Sequence, residues 1–121
     1  MDSFLWKVDF YETKDGKSPV EEFVTTLPIK DQLKVNKVIH LLRSMGIKLH
    51  MPHSRVIEGV NNLFELRIQL GNNIRRIFYF HYTHRTFILL HAFTKKTQRT
   101  PSNQIEIALK HKKDYLMRKS K

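Results

Sequence analysis

The chain has 121 residues, 40% of them hydrophobic and 11% aromatic, which predicts one globular domain over 1–121 and excludes a disordered chain. No apolar run approaches the roughly 18 residues a membrane span needs, and the absence of cysteine excludes disulfides and thiolate metal sites. Twenty-two Lys and Arg against eleven Asp and Glu give a formal charge of +11, which favours a polyanionic partner or an acidic protein that covers a basic surface.

The opening, MDSFLWKVDF, is acidic early and already alternates like a strand, so no secretory signal is expected and the cytoplasm is favoured. LWKVDFY (residues 5–11) predicts a first strand, closed by a turn at Lys14-Asp15-Gly16-Lys17. Ser18-Pro19-Val20-Glu21 then supplies an N-cap, a proline at the first helical position and a capping-box glutamate. Val20, Phe23, Val24 and Leu27 form the apolar stripe of a short helix that Pro28 ends. A second helix is predicted from about Ile29 to Met45, with Val35, Val38, Ile39 and Leu42 on one face and Gly46 as its stop, so the two form a helical hairpin. Residues 46–62 read as irregular. Strands follow at about 63–70, 73–82 and 86–94. Thr100-Pro101 opens a last helix in which Ile105, Ala108, Leu109 and Leu116 pack while Lys110, Lys113 and Lys119 stay in water.

Charge is uneven along these elements. The first 26 residues hold six acids and three lysines, so the basic surplus lies in the remainder. Within it, LFELRIQLGNNIRRIFYF (63–80) places Arg67, Arg75 and Arg76 on strands, where like charges opposed across a hairpin cost up to about 1 kcal/mol. With a two-residue Gly71-Asn72 loop, Arg67 lies directly opposite Arg76. Phe64, Leu66, Ile68, Ile77 and Tyr79 then point the other way, toward the helices. A three-residue Gly-Asn-Asn loop groups Arg67 with Arg75 instead and turns Arg76 toward the core. Extending the first register through a turn at His84-Arg85 sets Arg76 against Phe93 and Phe78 against His91. It adds Ile88, Leu90 and Ala92 to the helix side, and leaves Phe78, Phe80, Phe87 and Leu89 with Arg67, Gln69, Arg76, His91, Phe93 and Lys95 on the other. The arginines are then neighbours because they line an anion site, with the last helix over the apolar end of that face.

LFELR (63–67), RIFYF (76–80), LLHAFTKKTQRTP (89–101) and the IEIA helix (105–108) resemble the HigB-type, phage-related branch of the RelE/ParE toxin superfamily. The resemblance covers nearly the whole chain. It implies an α+β, RelE-like fold with an N-terminal strand, a two-helix hairpin, an antiparallel β-sheet and a C-terminal helix. It also implies a cognate antitoxin, a helix-turn-helix HigA-like protein, and cleavage of mRNA in the ribosomal A site. The same resemblance points to Arg67, Arg76, Lys95 and Lys96 as the cations that handle substrate. Family members that end in an acidic and aromatic motif differ here, since a basic helix takes its place, and no residue is marked as the general base.

Metal-independent RNA cleavage needs the 2′-OH aligned on its phosphate, a proton transfer, and cations aimed at the charge of the transition state. Arg67 and Arg76 suit the phosphate, Lys95 and Lys96 suit RNA positioning or acid/base work, and Phe93 offers a stacking platform. Arg75, Lys110, Lys112 and Lys113 are further candidates for RNA contact. The basic helix end has an equally good reading as a solvated terminus. His91 reads more naturally as a structural residue than as a general acid. His50-x-x-His53 lacks a third ligand, so neither a metal nor another cofactor is expected. A gyrase inhibitor of the ParE kind and a noncatalytic RNA-binding module are the competing functions.

Overall fold

The computed structural model describes residues 5–95 and 101–120. Along the chain run β1 (Lys7–Phe10), α1 (Pro19–Thr25), α2 (Ile29–Met45), a 3-10 turn (Gly46–Lys48), β2 (Ser54–Val56), β3 (Phe64–Leu70), β4 (Asn73–Thr83), β5 (Thr86–Lys95) and α3 (Ser102–Lys119). The architecture is α+β: five strands in the order β1-β5-β4-β3-β2, with three helices. Among the described residues no helix is long and apolar enough to cross a membrane.

Local chemistry sets the helix ends. Ser18 accepts the backbone N–H of Glu21 at 3.1 Å, which satisfies one of the donors that α1 leaves open at its start. Gly46 ends α2 with φ +58°, and the Trp6 indole lies where a side chain would begin: a Cβ there would sit 2.0 Å from the ring. Both the conformation and the contact require glycine.

α1 and α2 lie on one face of the sheet. Val20, Val35, Val38 and Leu42 pack there against Leu66, Ile68, Ile77, Tyr79, Phe87 and Leu89. α3 lies on the other face, where Ala108, Ile105 and Leu109 meet Phe78, Phe80, Ile88, Leu90 and Phe93. Burial of each large apolar side chain contributes about 1.5–3 kcal/mol, so the choice of face for each strand residue is strongly determined.

Four features depart from the sequence expectation. β1 runs parallel to β5, so the sheet is mixed rather than wholly antiparallel. β2 forms inside the stretch read as irregular and pairs antiparallel with β3, its buried Ser54 hydroxyl 2.6 Å from the Tyr79 hydroxyl. In β5, Leu90 is an extra residue between the pairs Phe78↔His91 and Tyr79↔Leu89, and a second irregularity near Tyr82 restores the count at Thr83↔Thr86. That bulge turns Phe87 and Leu89 toward the helix pair and Ile88 and Leu90 toward α3, the reverse of the alternation count. Finally, Leu116 is exposed, and Tyr115 takes the inward position against Phe80 and Tyr82.

Candidate functional site

The Gly71-Asn72 turn is the two-residue kind: Leu70 pairs with Asn73 and Arg67 with Arg76. Alternation then sends both arginines to the face away from α1 and α2, since Leu66, Ile68 and Ile77 belong to the core on the other side. Arg76 lies opposite Phe93, and Lys95 follows two residues later on the same side of β5. Two residues before Arg67, Glu65 shares that face. In β2, Ser54 points to the helix side, so Arg55 points toward Glu65, its register partner.

Glu65 is fully buried, and its Oε1 accepts from Arg76 Nη1 at 2.7 Å and from Arg55 Nε at 2.8 Å. The side chains of Arg76 and Arg55 are 3% and 38% exposed. Glu65 Oε2, Arg67 Nε and Arg76 Nε are buried without a hydrogen-bond partner among the described residues. Arg67 directs Nη1 to the Met51 sulfur at 3.7 Å. Burial pushes the Arg76 guanidinium down from its ordinary value, and the Glu65 charge beside it acts in the opposite direction. Lys95 is buried too. Desolvation and then the Arg76 charge hold its ammonium below the usual lysine range, with Arg55 and Arg67 adding to the effect and Glu65 opposing it. Among the described residues, one carboxylate therefore sits among four cations contributed by four adjacent strands.

The family model for Phage derived protein Gp49-like matches residues 22–113. The chain belongs to the Gp49-like family. No curated protein matches it in sequence. The matched region runs from α1 into α3 of this Gp49-like protein, and it includes every residue of the cation cluster.

The other candidates fall in different places. Arg75 faces the helices: Nη2 lies 2.8 Å and Nε 2.9 Å from Asp31 Oδ2, and Nη1 donates to Thr94 Oγ1 at 2.8 Å. That side chain ties α2 to the sheet and is not presented for RNA. Phe93 is buried against Phe78, with ring centroids 5.3 Å apart, so it is core rather than an open stacking platform. Lys112 turns inward and donates to the carbonyls of Asn61 and Asn62 at 2.9 and 3.1 Å, which fastens α3 to the loop before β3. Lys110 and Lys113 are exposed. Lys96 lies outside the described residues.

His91 bonds through Nε2 to Gln104 of α3 and stacks on Phe93, and burial lowers its pKa. It belongs to the α3 interface. His50 is exposed beside its neighbour's carbonyl. Among the described residues, no three His, Asp or Glu side chains gather as metal ligands. Two members of the cluster escaped the sequence reading. Glu65 was accessible to it, because the same alternation that paired Arg67 with Arg76 places Glu65 on their face. Arg55 was not, because three residues of β2 are too few for periodicity to register.

Proposed function

We propose that this Gp49-like protein is the toxin of a type II toxin–antitoxin pair and cuts ribosome-bound mRNA. Family membership supports the toxin class, since the Gp49-like family falls among RelE-like toxins. The observation that carries the nuclease reading is the cation cluster: Arg55, Arg67, Arg76 and Lys95 surround one buried carboxylate, and two guanidinium Nε–H donors have no partner among the described residues. Four cations around one carboxylate leave this sheet face with net positive charge, which is matched to a phosphate approached through the half-buried Arg67.

In this mechanism the 2′-OH of one nucleotide attacks the adjacent phosphorus. The P–O5′ bond breaks, leaving a 2′,3′-cyclic phosphate and a 5′-hydroxyl. Arg67, at the edge of the cluster, contacts the phosphate, and Arg76 behind it adds charge stabilisation in the transition state. Lys95 releases its proton more readily than an ordinary lysine, which suits it to transfer a proton at the attacking or the leaving oxygen. Lys96 and the exposed Lys110 and Lys113 position the RNA and the ribosome.

A purified protein added to translating extract is expected to cut mRNA in ribosome-dependent fashion, with cyclic or 3′-phosphate ends. Chelation under conditions that keep ribosomes intact should not stop it. Co-expression of a helix-turn-helix antitoxin from the adjacent frame should relieve growth arrest. The near-complete burial of Arg76 and Lys95, at 2% and 5% exposed, favours a second reading in which the surface inhibits DNA gyrase. Intact mRNA together with loss of supercoiling by purified gyrase would establish that alternative.

A further inference from the structure

Glu65 is an unusual occupant of its position. Its register partner across the hairpin is Phe78, wholly buried in the α3-side core, and Glu65 is itself wholly buried. A buried ion pair generally does no better for stability than an apolar pair of the same size. Stability alone thus gives no reason to keep a carboxylate there. What the carboxylate supplies is orientation: a single oxygen receives Arg76 from β4 and Arg55 from β2 and joins both guanidiniums to β3. Because Arg76 is held through Nη1 and Arg55 through Nε, the remaining donors of each fork have restricted directions. Arg67, two residues along the same strand face, completes the group.

We propose that Glu65 is a positioning residue: it holds the Arg76 and Arg55 guanidiniums oriented beside Arg67 before the phosphodiester arrives. This rests on the nuclease reading above. Cations already aligned need no reorganisation as negative charge grows on the phosphate, so the benefit falls on the chemical step rather than on RNA capture. Glu65 also offsets the charge that Arg55, Arg67 and Arg76 exert on Lys95, and so keeps that lysine from losing its proton too early.

The test uses programmed ribosomes as substrate for the full-length protein and its Glu65→Gln variant. The variant, folded by near-UV circular dichroism, is expected to lose about 100-fold in kcat, the scale of a small misplacement of reacting groups. Its KM should stay within about twofold, the mark of an interaction made chiefly in the transition state. The limb of the pH–rate profile due to Lys95 should also move to lower pH, because removal of a nearby negative charge favours the neutral amine. That shift reports the Glu65 charge beside Lys95, and the fall in kcat at constant KM in a folded variant is what a purely structural role would not produce. An unchanged kcat, or a rise in KM alone, overturns the inference.

Should Glu65→Gln fail to fold, ¹⁵N spectra of arginine side chains in the wild-type protein decide the matter. A locked Arg76 guanidinium supports the role, and rotation as free as that of arginine in the unfolded chain overturns it. Wild-type cleavage that survives intact in Glu65→Gln defeats only this inference. A wild-type protein that cuts no mRNA defeats the nuclease reading and this inference with it.

Discussion

Arg75 and Arg76 are adjacent in sequence and opposite in circumstance. On the helix face of β4, Arg75 meets Asp31 and Thr94, one cation to one carboxylate, and its donors are used in joining α2 to the sheet. On the other face, Arg76 shares Glu65 with Arg55, next to Arg67 and Lys95, and retains a buried Nε–H with no partner among the described residues. The difference teaches that an arginine on a strand is not itself a functional signal. What separates the structural member from the candidate catalytic one is the ratio of cations to carboxylates around it and the presence of donors left without partners.

The most severe way to break the comparison is Arg76→Ala. Removing one partner leaves Glu65 buried with reduced compensation, at a cost of about 3–5 kcal/mol, and cleavage should be lost as well. Replacing both Glu65 and Arg76 by leucine should restore much of the stability, read by chemical denaturation, without restoring cleavage. Arg67→Ala sharpens the contrast. Among the described residues its Nη1 meets the Met51 sulfur alone, so the melting temperature should change little while cleavage falls by about 100-fold or more. If Arg67→Ala cuts at the wild-type rate, the phosphate site has been misassigned.

Arg75→Ala is the matching control on the other face. Asp31 loses its partner and stability falls by about 1–3 kcal/mol, yet cleavage per folded molecule should equal that of wild type. A specific loss of catalysis there would remove the distinction between the faces.

A smaller effect concerns α3. His91 of β5 and His111 of α3 have ring centroids 6.2 Å apart. Burial lowers both pKa values from the ordinary 6.5. The groups facing them are Gln104, Phe93, Tyr11, Asp114 and Lys110. The unfolded chain therefore binds protons at a higher pH than the native one. Stability is unaffected above pH 6.5 and declines as pH falls from there toward and through the lower native values. Melting temperatures between pH 7.5 and 5 should show that decline, and a His91→Gln/His111→Gln double variant should flatten it. Smallest of all, Lys110→Ala and Lys113→Ala should weaken ribosome association and reduce its salt dependence, with single-turnover cleavage unchanged at saturating ribosomes.

Much of the fold could be read from local chemistry. Ser18-Pro19-Val20-Glu21 starts α1, the limits of α2 follow from Pro28 and Gly46, and the Gly71-Asn72 loop brings Arg67 to Arg76. The reading failed in FILL (87–90), where four consecutive apolar residues carry no alternation. The count across the turn was right at both ends and wrong in the middle, because the added residue at Leu90 is compensated near Tyr82. It also misjudged Phe93, Lys112 and Leu116, whose exposure depends on how α3 is rotated on the sheet.

The amino-acid order by itself determined the Ser18 cap of α1 and the limits of α2, and it narrowed the hairpin to two registers, since each depends on contacts within a few residues or on strict alternation; the structure selected the Gly71-Asn72 loop that puts Glu65, Arg67 and Arg76 on one face. Only tertiary structure decided the parallel pairing of β1 with β5, the assignment of Arg75 to Asp31, and the arrival of Arg55 beside Glu65. Those contacts join residues from 10 to about 80 positions apart in the chain. Their energy depends on burial and on competing partners, which no local pattern encodes.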